Sequence, residues 1–141
     1  HLETLTDDEI KLLGNYNGCS TLLPTAAFFL RMQYQPARKL IDAGAAVTLA
    51  SDYNPGSSPS GNMNFVNALS CIQMKMLPQE VINASTLNGA YAMELEKELG
   101  SITVGKTANL IFTKPIPSLP YLFYSFGNNH IERVMIKGEW M

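Results

Sequence analysis

The chain has 141 residues, 46% of them hydrophobic, enough for one domain with a sizeable core. Ten Lys and Arg against twelve Asp and Glu give a formal net charge of −2, which argues against a nucleic-acid surface. Cys19 and Cys71 are too few for a disulfide framework, so a reducing cytoplasm is the expected compartment. No apolar stretch reaches the length of a membrane span and no charged-then-apolar leader opens the chain. It begins at His1 rather than at a methionine, which reads as a processed or excised piece of something longer.

In chain order, Thr6-Asp7-Asp8-Glu9 forms a capping box, with Leu5 and Ile10 at staple spacing. The helix it opens should stop near Gly14 in the left-handed conformation. Residues 19–24 read as a strand closed by Pro24, and the apolar residues 26–32 as a turn of helix or a loop. Pro36 suits the first position of a helix that buries Ala37, Leu40 and Ile41, turns Arg38, Lys39 and Asp42 to water, and ends at Gly44. Residues 45–51, small and β-branched, then read as a strand buried on both faces, completing a strand–helix–strand unit of a parallel sheet.

Past a polar loop, Met63, Phe65, Val66, Leu69 and Ile72 support a helix that Ser60 or Asn62 could cap, and Met74 and Met76 read as core filling. Pro78 opens one further helix running through Val81, Ile82, Leu87, Ala90 and Met93. From Gly100 the texture changes. Residues 101–106 predict a short strand and turn, residues 109–113 a strand, Pro115, Pro117 and Pro120 a loop, and residues 131–140 a hairpin about Lys137-Gly138. A boundary near Leu99 divides an α/β part, residues 1–99, from a small β part, residues 100–141.

Few residues could carry chemistry. His1 and His130 are the two histidines, and neither a phosphate-binding glycine loop nor a nucleophile elbow is present. The cysteines lack zinc-ligand spacing. Asp52 ends the 45–51 strand beside Asn54-Pro55-Gly56-Ser57-Ser58. A carboxylate there sits where barrel and open α/β enzymes place their chemistry, yet Asp and Asn-Pro-Gly also end strands simply because they favour turns.

Ser51-Asp52-Tyr53-Asn54-Pro55-Gly56-Ser57-Ser58 resembles the eighth-strand signature of the imidazolonepropionase family, within the metal-dependent amidohydrolase superfamily. Similar segments follow the same order along the chain: His1-Leu2-Glu3, Thr21-Leu22-Leu23-Pro24, Leu40-Ile41-Asp42-Ala43-Gly44, Thr86-Leu87-Asn88-Gly89-Ala90, the glycine-bounded stretch 100–106, and residues 124–130. The aspartate loop is specific within the superfamily, whereas the segment 100–110 identifies only the superfamily. Asn109 stands where relatives often carry aspartate, and Leu77 where a capping hydroxyl is common.

The resemblance implies an α/β chain: about strands 6–8 of a TIM-like (β/α)8 barrel with their helices, plus C-terminal strands of a small β-sandwich. It implies hydrolysis of 4-imidazolone-5-propanoate to N-formimidoyl-L-glutamate by metal-activated water. Asp52 would be metal ligand and proton acceptor, His1 would stabilise charge, and Asn54, Gly56 and Ser57 would hold the small-molecule substrate. The divalent metal would be zinc or iron, its other ligands lying upstream of His1, so the piece alone should bind metal weakly and be inactive. His130 reads as structural or surface; a partner chain, the missing half or self-association is expected to cover the open sheet edge, and a homo-oligomer, a dimer, is expected. Another cyclic amidohydrolase or deaminase, or a non-catalytic remnant, are the competing readings.

Overall fold

The computed structural model describes residues 1–141. Helix α1 (Asp7–Gly14) starts where the capping box requires it: the Glu9 N–H donates to Thr6 Oγ1 at 3.3 Å, and the Thr6 N–H to Glu9 Oε2 at 2.7 Å. Gly14 does not end the helix in a left-handed turn, as the sequence suggested; the cap is Asn15, in the right-handed region. Glycine is needed there for close approach instead, since a Cβ on Gly14 would lie 2.2 Å from the Ala43 carbonyl oxygen.

Strand β1 (Cys19–Leu22) pairs in parallel with β2 (Ala46–Leu49), Leu22 opposite Leu49. The observed strand is shorter than predicted, and Ala46 is exposed while Val47, Thr48 and Leu49 are buried. Between the strands run α2 (Pro24–Leu30) and α3 (Ala37–Asp42). The apolar residues 26–32 are thus mostly helical, with Pro24 in the first turn and Arg31 in the left-handed region closing it. Pro36 caps α3 rather than opening it. At the other end the Gly44 N–H donates to Ile41 O and the Ala45 N–H to Leu40 O, a Schellman closure that feeds directly into β2. Arg38 does not merely face water: it forks onto Glu80 at 2.9 and 3.0 Å.

Helix α4 (Met63–Ile72) is capped by Asn62, whose Oδ1 accepts the N–H groups of Asn64 and Phe65. Its buried face is Val66, Ala68 and Leu69; Ile72, predicted inside, is exposed. Met74 and Met76 fill the core with Leu22, Leu40, Val47, Leu49, Val66 and Val81.

The single helix predicted from Pro78 is two, α5 (Pro78–Ser85) and α6 (Leu87–Ala92), broken at Thr86 with φ −123° and ψ −82°. The break has a tertiary cause. Thr48 Oγ1 donates to the Ala84 carbonyl at 2.8 Å, an acceptor that a continuous helix would pair internally, and Asn88 Nδ2 donates to Val47 O at 2.8 Å, tying the start of α6 to β2.

Residues 101–106 form no strand but an exposed turn. Strand β3 (Leu110–Thr113) pairs antiparallel with β4 (Ile131–Ile136), which pairs with β5 (Glu139–Trp140) across Lys137 and Gly138, both with positive φ as a type I′ turn requires. The proline-rich connection holds a short helix that the sequence did not reveal, α7 (Leu119–Tyr124), which packs on α4 and α5 and buries Phe123 in the core. No helix is long and apolar enough to cross a membrane.

Candidate functional site

The carboxyl ends of β1 and β2 lie side by side, and the ladder continues one bond beyond the strands, from the Ala50 N–H to Leu22 O at 3.1 Å. Thr25, in the first turn of α2, donates its hydroxyl to Ser51 O at 2.9 Å, fixing the exit of β2. Asp52 then adopts φ +52°, a left-handed conformation that aspartate tolerates better than most residues. This turn starts a closed polar loop. The Asn54 and Ser58 backbones exchange two hydrogen bonds, at 3.0 and 3.3 Å.

Inside that loop a relay of side chains runs from Asn54 to Asp52. Asn54 Nδ2 donates to Ser57 Oγ at 2.6 Å, and Ser57 Oγ donates to Asp52 Oδ2 at 2.7 Å. Asn54 Nδ2 also reaches Asp52 O, while its Oδ1 accepts the N–H groups of Gly56 at 2.8 Å and Ser57 at 2.9 Å. Asp52, Asn54, Gly56 and Ser57 are therefore one hydrogen-bonded unit at the end of a parallel strand, and Asp52 and Ser57 are only half-buried. The N–H groups of Gly56 and Ser57 are engaged by the Asn54 carboxamide, so a bound ligand would exchange with that carboxamide for them.

His1 lies elsewhere in the bonding pattern. Its Nδ1 is 3.5 Å from Glu3 Oε1, and the same oxygen accepts Gln35 Nε2 at 3.0 Å. His130 Nε2 is buried without a partner, its ring 5.6 Å from that of Tyr121. The thiols are not nucleophiles in waiting: burial raises Cys19, and burial together with Glu80 pushes Cys71 up to about 11. Thr25 and Gln35 carry no sequence signal, because their contacts span 26 and 32 residues.

No group of three His, Cys, Asp or Glu side chains gathers to hold a metal. Asp52 nonetheless suits one position in such a shell: it is a hard oxygen donor at a strand end, with one carboxylate oxygen braced by Ser57.

Comparison with known proteins agrees with this architecture. The chain is 52% identical over 139 residues to the imidazolonepropionase of Christiangramia forsetii and 53% identical to that of Flavobacterium johnsoniae; each alignment covers 99% of this chain and 34% of the relative. The chain thus spans about a third of the length of the curated relatives it matches. Among solved structures, an adenosine deaminase from Xanthomonas campestris with bound zinc superposes with a TM-score of 0.86 at 24% identity, over 99% of this chain and 35% of that one. A variant of atrazine chlorohydrolase from Arthrobacter aurescens, complexed with zinc and atraton, superposes with a TM-score of 0.85 at 15% identity, over 99% and 34%. These likenesses establish the fold as α/β of the amidohydrolase type. The sequence pattern of the amidohydrolase family matches residues 1–141, and the chain belongs to that family.

Proposed function

We propose that this chain is part of an imidazolonepropionase, which opens the ring of 4-imidazolone-5-propanoate with water to give N-formimidoyl-L-glutamate in histidine degradation. The observation that carries this reading is the match of nearly the whole chain to proteins of that name. The geometry supports it, with the aspartate at the end of β2 braced by its own loop.

In this reading residues 1–99 contribute about strands 6–8 of a (β/α)8 barrel, and residues 100–141 contribute strands of a small β-sandwich. Asp52 binds a divalent metal, zinc or iron, whose other ligands lie outside this chain. Such an ion, when bound, brings the pKa of a coordinated water toward neutrality. Asp52 accepts the proton of the attacking water, and its left-handed turn and the Ser57 hydrogen bond fix which oxygen is available. Asn54, Gly56 and Ser57 hold the polar end of the substrate, Gly56 and Ser57 through the N–H groups now donated to Asn54 Oδ1 and Asn54 through its carboxamide. His1 stabilises charge near the reacting centre. The working protein is a cytoplasmic homo-oligomer, a dimer.

Hydrolysis assays on the full-length protein that carries this segment test the reading, with 4-imidazolone-5-propanoate set against a panel of purine and pyrimidine amines. Turnover of the imidazolone is expected; turnover of the amines alone would make the protein a deaminase. The 141-residue piece by itself is expected to be inactive, and submicromolar zinc affinity in a calorimetric titration would refute its proposed incompleteness.

A further inference from the structure

Glu3 is a carboxylate that the proposed chemistry does not use, yet it is 9% exposed and lies on no regular element. A carboxylate placed there without a hydrogen-bond partner would be costly. Its compensation is specific. Gln35, 1% exposed, donates Nε2 to Glu3 Oε1 at 3.0 Å, and Gln35 is itself held at the entry to α3, where its carbonyl accepts the Ala37 N–H at 2.8 Å.

The same Glu3 oxygen faces His1 Nδ1 at 3.5 Å. That separation is longer than the ~2.9 Å of a formed bond, as catalytic hydrogen bonds often are before substrate arrives. The intervening backbone makes the approach possible. Leu2, between them, sits at φ +65°, a left-handed conformation that side chains larger than glycine's disfavour.

We propose that Glu3, locked by Gln35, is a positioning residue for His1: its carboxylate takes the Nδ1–H side of the imidazole and leaves Nε2 as the nitrogen presented to the reaction. A carboxylate behind a functional histidine fixes both ring orientation and tautomer. The inference rests on the role given to His1 above, but the contact itself is measurable without it. Gln35 has one further property that makes a clean test. Its Oε1 is buried with no partner, so an amide in place of the Glu3 carboxylate could donate to it while still offering His1 an acceptor.

The test uses the full-length, metal-loaded protein with 15N-labelled histidine, the His1 signals being assigned by their loss in His1→Gln. Nitrogen shifts at a pH where the ring is neutral are expected to show the Nδ1–H tautomer. Glu3→Ala should move the proton to Nε2 and lower kcat about 10- to 100-fold, the loss typical of a carboxylate behind a functional histidine, with little change in KM. Glu3→Gln should keep the Nδ1–H tautomer and restore most of kcat. Should Glu3→Ala fail to fold, Gln35→Met, which removes the lock and keeps the stem, should give a partial shift of the same sign. An unchanged tautomer in these variants overturns the inference, as does a raised KM with kcat intact. A tautomer that moves while kcat stays whole would leave the contact standing and remove His1 from the reaction, which overturns the positioning role and separates it from the imidazolonepropionase reading.

Discussion

Asp52 combines two demands in one residue, a left-handed backbone and a carboxylate braced by a hydroxyl. Asparagine meets the first and fails the second, since it tolerates positive φ and can accept the Ser57 hydrogen bond but cannot take a proton. On the proton-acceptor role proposed for Asp52, Asp52→Asn in the full-length protein is expected to lower kcat by about 10²–10⁴, the usual range for a lost general base, with an unaltered circular dichroism spectrum. Glu80 offers a second test. Burial by itself would raise its carboxyl, but the Arg38 guanidinium and the Leu77 N–H outweigh that and hold it below its ordinary value of 4.5. A carboxyl depressed in the folded state contributes stability above the unfolded value, lost as pH falls through the folded one. Glu80→Gln should thus cost about 1–2 kcal/mol at pH 7 by urea unfolding, and the difference should shrink as pH drops below 4.5. The charge pattern of α3 did not reveal this fork, because Arg38 and Glu80 are 42 residues apart.

At the level of elements, local chemistry was readable and its tertiary modification was not. The Thr6 box and the Asn62 cap involve residues two or three apart; the first forms as the sequence dictates, and the second is one of the two caps, Ser60 or Asn62, that the sequence offered. Gly14 was placed correctly at the end of α1, but for a conformational reason, when the operative one is the carbonyl of Ala43, which caps α3. This predicts that Gly14→Ala, which on helix propensity alone should stabilise by roughly 1 kcal/mol, instead destabilises by about 1–3 kcal/mol through the clash, read as a lowered urea midpoint at constant m. The break between α5 and α6 has the same character: the hydroxyl that claims Ala84 O comes from β2, 36 residues away. Helix α7 hides in its proline-rich stretch because Pro120 falls in the first turn, where the missing N–H costs nothing.

For the molecule as a whole, the two-stranded parallel sheet leaves an outer edge on each strand, and α2 turns Phe28, Phe29, Leu30 and neighbouring Met32 toward solvent. Phe28 keeps an edge-on contact with Phe65 and is still half exposed. Exposed apolar side chains and unpaired strand edges favour association with another chain or segment that covers them. In solution the 141-residue chain should self-associate with a sedimentation coefficient that rises with concentration; a tight monomer across the micromolar range would contradict this. The C-terminal sheet behaves alike, since β3 and β4 have no buried residue, while Phe112 and Arg133 pack against Trp140.

By itself the sequence determined the parallel strand ending at an aspartate loop, the capped helices and the family resemblance, all of which rest on short-range patterns in hydrophobicity, turn chemistry and residue order. Only the tertiary structure decided that β2 splits the helix after Pro78, that Arg38 forks onto Glu80, and that Gln35 donates to Glu3. The reason is physical. A side-chain hydrogen bond is set by where the backbone brings two groups, and neither composition nor periodicity encodes a meeting across 30 residues.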